Sequence, residues 1–139
     1  MKIVINRCWG GFGLSLEGVK LYAKFSGFKI YPFVEKRDKD GNLDWKHFEP
    51  YKKGEDSFLI HYSKEPLNKN GTYQEKSYWS DRNIERNDPN LVKVVEQLRH
   101  RANANHSELS IVEIPDDVKW EIDDYDGMES IHEIHRSWG

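Results

Sequence analysis

An α+β fold, a mainly antiparallel sheet with two packed α-helices in a single domain over residues 1–139, is the class this sequence predicts. Three observations carry it. Two segments, 15–26 and 89–102, repeat apolar residues at helical spacing. The other apolar segments are short and strand-like, several of them joined by hairpin turn signals. Finally, 139 residues with 37% hydrophobic and 13% aromatic content suffice for one core but not for two ordinary domains.

Lys2 to Arg7 reads as a buried strand running into the glycine-rich loop Cys8-Trp-Gly-Gly-Phe-Gly-Leu14 and then a helix from Ser15 to about Ser26. Leu16, Val19, Tyr22, Ala23 and Phe25 form the apolar side of that helix, and Gly27 stops it. Ser15 suits the N-cap. Gly18 stands where a capping-box Glu would close the cap, which would leave the helix-start amides free. Phe28 to Lys36 alternates as a strand, and Asp38 to Asn42 turns it into a partner over Leu43 to Tyr51. The acidic run in that turn lacks a calcium loop's end ligands, because Lys36 and His47 occupy those positions.

Ser57 to Ser63 reads as a further strand, and Lys64 to Ser80 as a long loop, unusually aromatic through Tyr73, Tyr78 and Trp79. Asp88-Pro89 opens the second helix with a capping Asp and Pro at N1, and Leu91, Val94, Val95, Leu98 and Ala102 give it one apolar stripe. Arg99, His100 and Arg101 complement the dipole at its end. Leu109 to Ile114 is a strand. Val118 to Asp123 alternates as another, and the Asp126-Gly127 turn favours a hairpin over a helix for 128–136.

The formal net charge of −3 excludes the large basic surface on which sequence-independent binding of duplex nucleic acid depends. Cys8 is the single cysteine, so neither an internal disulfide nor a cysteine metal cluster is expected, and no stretch approaches a membrane span. The strand-like N-terminus has no signal-peptide pattern, which places the protein in a cytoplasm. No cofactor or metal is expected.

Two kinds of site are open. In an enzyme, His132 and His135 with Glu129 and Glu133 would supply acid and base, although His-Glu-Ile-His does not match the zinc-protease spacing. In a binding module, backbone amides of Gly10, Gly11, Gly13 and Ser15 would face an anion at the start of a helix. The loop matches neither the P-loop nor the dinucleotide signature, and a plain turn packing helix on strand is the competing reading.

Five Trp, seven Tyr and six Phe include several beside arginine: Arg7 with Trp9, Trp79 with Arg82, and Arg136 with Trp138. Aromatic faces stack bases and guanidinium forks grip phosphate. The binding set for a small nucleotide-like ligand is therefore Arg7, Trp9, Gly10, Gly11, Phe12, Gly13, Ser15, Arg86, Arg136 and Trp138. A third reading uses Tyr73 to Trp79 as a surface for a partner protein.

Lys2-Ile-Val-Ile-Asn-Arg-Cys-Trp-Gly-Gly-Phe-Gly-Leu-Ser15, Arg86-Asn-Asp-Pro-Asn-Leu91, Ile111-Val-Glu-Ile-Pro-Asp-Asp117, Trp120-Glu-Ile122 and His135-Arg-Ser-Trp-Gly139 together resemble a family of small proteins of tailed bacteriophages and prophages. Gly18 departs from the Glu or Ala expected there, and Asp38 to Ser80 carries no part of the resemblance. The resemblance implies a phage setting and the host cytoplasm. By analogy it points to a sponge that sequesters a cyclic oligonucleotide or cyclic ADP-ribose type of immune signal, built as a homo-oligomer that encloses its ligand. Cleavage of such a signal is the enzymatic alternative.

Overall fold

In order along the chain, the computed structural model contains β1 (Lys2–Asn6), α1 (Leu16–Ser26), β2 (Tyr31–Arg37), β3 (Leu43–Pro50), β4 (His61–Ser63), β5 (Tyr78–Trp79), α2 (Pro89–Leu98), β6 (Leu109–Glu113), β7 (Trp120–Tyr125) and β8 (Met128–Glu133). It describes residues 1–53 and 59–134, the side chain of Trp45 excepted. The chain is α+β, and all strand pairing among the described residues is antiparallel. Contacts divide it into two compact units, residues 1–26 with 81–139 and residues 27–80.

In the first unit β1 pairs with β6, from Lys2 opposite Glu113 to Asn6 opposite Leu109. Ile3, Val4 and Ile5 are all buried, so this strand is covered on both faces. α2 packs against α1, β1 and β6. Its start follows from local chemistry: Asp88 Oδ1 accepts from the Asn90 amide at 2.8 Å, and Pro89 loses no helical hydrogen bond at N1. The other oxygen of Asp88 accepts from the Tyr22 hydroxyl at 2.7 Å, tying α1 to the start of α2. Leu91, Val94, Val95 and Leu98 are buried as their spacing requires, and Ala102 follows in a single 3-10 turn.

β7 and β8 form the hairpin that the Asp126-Gly127 turn favours. Both turn residues take positive φ, 52° and 89°, the combination a two-residue type I′ turn demands. The 128–136 segment is therefore strand through Glu133, and its three-residue apolar spacing does not become a helix.

In the second unit the strand order is β3-β2-β4-β5. Asp38 Oδ1 accepts from the amides of Asp40 and Asn42, both at 2.9 Å, and so closes the β2–β3 turn with its own side chain. The register slips between Glu35 and Lys36. The long 64–80 segment differs from the simple loop expected: it returns as β5 to pair with β4, and the Gly71 carbonyl accepts from the Phe48 amide at 2.8 Å. Of the strand expected over Ser57 to Ser63, Ser57 and Phe58 lie outside the described residues, Leu59 and Ile60 are not strand, and β4 covers only His61–Ser63.

Among the described residues, no helix is long and apolar enough to cross a membrane.

Candidate functional site

The loop after β1 is held by one side chain. Asn6, fully buried, donates from Nδ2 to the Cys8 carbonyl at 2.6 Å and to the Gly127 carbonyl at 2.7 Å. Its Oδ1 accepts from the amides of Glu108 at 2.8 Å and Cys8 at 3.3 Å, and its own amide donates to Glu129 Oε1 at 2.8 Å. A single amide group thereby fastens the β1 loop to the β7–β8 turn. The backbones approach so closely that a Cβ on Gly127 would lie 2.4 Å from the Gly11 nitrogen and 2.5 Å from the Trp9 oxygen. Gly10 is equally confined, because a Cβ there would meet the His106 carbonyl at 2.1 Å. Glycine at these two positions is a requirement of backbone packing.

An exposed aromatic ring stands on the β1 loop and another at the end of β7, next to the fastened turn. Trp9 is 57% exposed and Tyr125 73%, and they meet edge to face with centroids 5.7 Å apart. Arg7, exposed, precedes Trp9 by two residues in the chain.

The remaining predicted residues sit elsewhere. Phe12 is buried, with the Arg86 guanidinium 3.7 Å from its ring centroid. Arg86 Nη2 donates to Glu129 Oε2 at 2.9 Å and Nη1 to Glu129 Oε1, a bidentate pair whose glutamate is buried. Arg86 and Phe12 thus cap the inside of the first unit, with Glu129 as internal anion. Gly13 is buried, and its carbonyl accepts from the Ser107 hydroxyl at 2.7 Å. Gly11 adjoins Gly127, as described above. Arg136 and Trp138, like His135, lie outside the described residues.

The start of α1 is not open in the way its sequence suggested. Ser15 Oγ accepts from the Gly18 amide at 3.0 Å, a completed N-cap despite the missing capping-box Glu. The Ser15 amide donates to the Ala102 carbonyl at 2.9 Å, and the Leu14 amide to Asp81 Oδ2 at 2.8 Å. A carboxylate of the protein itself therefore occupies the loop leading into the helix. This contact was illegible in the sequence because 67 positions separate Leu14 from Asp81.

Among the described residues, Glu121, Asp123 and His132 form an exposed group whose ligand atoms lie within 4.8 Å of one another. Both ring nitrogens of His132 face carboxylates, Nε2 toward Glu121 at 2.6 Å and Nδ1 toward Asp123 at 2.5 Å. The hydrogen bond to Glu121 raises the His132 pKa, desolvation opposes it, and the charge and hydrogen bond of Asp123 add to the net rise. A protonated ring clamped by two acids is the state this favours, and it is a poor metal ligand until a nitrogen is released.

In the second unit, His61 lies between Glu35 and Tyr78, with Nε2 3.0 Å from Glu35 Oε1 and Nδ1 3.2 Å from the Tyr78 hydroxyl. Burial pushes the Glu35 carboxyl up, but its hydrogen bonds to His61 and the backbone, with the charges of His61 and Arg37, bring it below its ordinary value. Of this trio the sequence singles out Tyr78 alone, as part of an aromatic loop, and it does not single out Tyr125; alternation of β2 and β4 is the one signal for the rest, since it puts Phe33, Glu35 and His61 on one face. A cleft of about 640 Å³ opens beside β3, where Lys36, Arg37 and Lys69 are matched by Asp38, Asp44 and Glu49, so its charge selects no ligand sign. Comparison with known protein families, curated proteins and solved structures finds no match to this chain.

Proposed function

We propose that this protein binds a small nucleotide-like ligand through the Trp9–Tyr125 platform, with Arg7 as the cation for its phosphate. The observation that carries this reading is the pairing of two exposed aromatic rings, Trp9 on the loop fastened by Asn6 and Tyr125 at the end of β7 beside the Gly127 turn. Large exposed rings are ordinarily mobile and scattered, whereas a preorganised pair loses little entropy when a base stacks on it. Arg7 makes no ion pair among the described residues, unlike Arg86, whose charge is neutralised by Glu129. Arg136 and Trp138 stay with the platform as candidates from the sequence.

One exposed platform offers a ligand a single wall, and a second copy of the chain would supply the other. A homo-oligomer in the host cytoplasm follows as part of the proposal. In the phage setting that the resemblance implies, the function is sequestration of a nucleotide-derived signal of bacterial anti-phage defence, of the cyclic oligonucleotide or cyclic ADP-ribose type. Tight holding without turnover is what such a role asks of the site.

The test is a thermal-shift screen against linear and cyclic nucleotides and cyclic ADP-ribose isomers. A ligand at 100 times its Kd adds about 2.7 kcal/mol, a Tm rise of roughly 8 °C for a chain of this size. Trp9→Ala and Tyr125→Ala should each abolish most of the rise. Chromatography after release by heat should recover the ligand unaltered; an altered product would replace the sponge with an enzyme. No shift with any nucleotide would overturn the proposal in favour of a protein partner.

A further inference from the structure

We infer that Tyr78 is an activated phenol, a nucleophile toward activated esters, driven by the relay Glu35–His61–Tyr78. The relay lies wholly within residues 27–80 and is independent of the Trp9–Tyr125 platform.

Its direction follows from donor and acceptor chemistry. An ionised Glu35 can only accept, so His61 Nε2 carries the hydrogen shared with it at 3.0 Å. With the ring neutral, Nδ1 is then the acceptor, and the Tyr78 hydroxyl donates to it at 3.2 Å. A nucleophile bonded to a base, with the base oriented by a carboxylate, is the arrangement that activates hydroxyl groups for group transfer.

The surroundings hold the relay in place. His61 stacks on the buried ring of Phe33 with centroids 5.3 Å apart and meets the half-buried Phe48 edge-on at 5.7 Å, so its ring is braced on two sides. Side chains of His61 and Glu35 are only 16% and 14% exposed, which strengthens the interaction between them. Tyr78 is 44% exposed, so the relay leads from a shielded carboxylate to the surface. Pairing of β5 with β4 places Tyr78 opposite Ser63, two residues from His61 and on the same face.

In the step itself, a lone pair of Tyr78 Oη forms a bond to the carbonyl carbon or phosphorus of the ester, and the phenolic proton moves to His61 Nδ1. The bond to the leaving oxygen breaks with its electron pair, and that oxygen takes the proton from Nδ1. Glu35 stabilises the imidazolium in between and stays ionised. Acyl and phosphoryl esters share this chemistry.

The experiment treats the full chain with an arylsulfonyl fluoride and maps adducts by peptide mass spectrometry, with Tyr125 as the internal control because it is more exposed and has no histidine partner among the described residues. General-base assistance predicts labelling of Tyr78 about 100-fold faster than Tyr125, falling to the Tyr125 rate in Glu35→Gln and His61→Gln. Equal or slower labelling of Tyr78 in the unmodified protein overturns the inference without requiring any variant to fold. p-Nitrophenyl acetate and bis(p-nitrophenyl) phosphate then separate the substrate classes: p-nitrophenolate released from one of them and lost in Tyr78→Phe identifies it. Release from neither, or release that survives Tyr78→Phe, also overturns the inference.

Discussion

The two units of this chain solve the burial of polar groups in opposite ways. In residues 1–26 with 81–139, an apolar core of Ile, Val and Leu surrounds a polar clip in which Asn6, Arg86 and Glu129 satisfy one another and the nearby backbone. In residues 27–80, Phe33, Phe48 and Tyr78 contact the His61 ring of a titratable pair, and Tyr73 joins these three rings in one aromatic cluster. The first arrangement fixes backbone: it determines where two loops run and which rings they lift to the surface. The second fixes a side chain, holding one imidazole between two partners. A buried charge pair depends on complete satisfaction of its bonds, whereas an aromatic cluster depends on volume.

That difference can be broken experimentally, beginning with the largest effect. Glu129→Ala removes the carboxylate and leaves the Arg86 guanidinium and the Asn6 amide without their partner; the expected loss is about 3–5 kcal/mol in urea unfolding. A loss below about 1 kcal/mol would show that the clip does not hold the first unit together. Phe33→Ala should cost about 3–4 kcal/mol through the cavity it leaves. Because volume is what matters there, Phe33→Leu should recover much of that loss, and failure to recover it would point to ring stacking with His61 instead.

Gly127→Ala tests the backbone contact directly. Its φ of 89° and the 2.4 Å approach to the Gly11 nitrogen predict at least about 2 kcal/mol of destabilisation. An unchanged midpoint would mean that the two loops can separate at little cost. Trp9→Ala, by contrast, should alter stability by less than about 0.5 kcal/mol while weakening nucleotide binding by about 1–3 kcal/mol. Isothermal titration with the best ligand of the screen measures that split.

The smallest expected effect is a pH response of opposite sign in the two units. The folded pKa of His132 is raised, so its stabilisation of the β7–β8 hairpin is complete below the unfolded value of about 6.5 and disappears as pH rises through the folded value. Glu35 is depressed, so its contribution is present above its unfolded value of about 4.3 and is lost as pH falls through the folded one. NMR titration of His132 and of the Glu35 carboxyl carbon checks both directions; a His132 midpoint at or below its ordinary value would remove the carboxylate clamp.

Local chemistry made the elements legible without any structure. Asp88-Pro89 sets the start of α2 through groups two residues apart, the α2 stripe shows its buried face, and Asp126-Gly127 selects a hairpin by the φ values its residues tolerate. Ser15 was readable as an N-cap for the same reason. Trp9 was recognisable as a large ring beside glycines, but not that it would remain exposed. Everything that decides the candidate sites joins residues far apart in the chain: Asn6 with Gly127, Arg86 with Glu129, Leu14 with Asp81, Trp9 with Tyr125, and Glu35 with His61 and Tyr78. Propensity and periodicity act over a few residues, so the sequence by itself determined where the two helices and the two hairpin turns lie and which helix faces are apolar, while strand limits and β5 escaped it. The tertiary structure alone decided which amides of the glycine loop are already satisfied, which arginine is neutralised inside and which rings reach solvent, because hydrogen bonding and exclusion from water depend on neighbours in space.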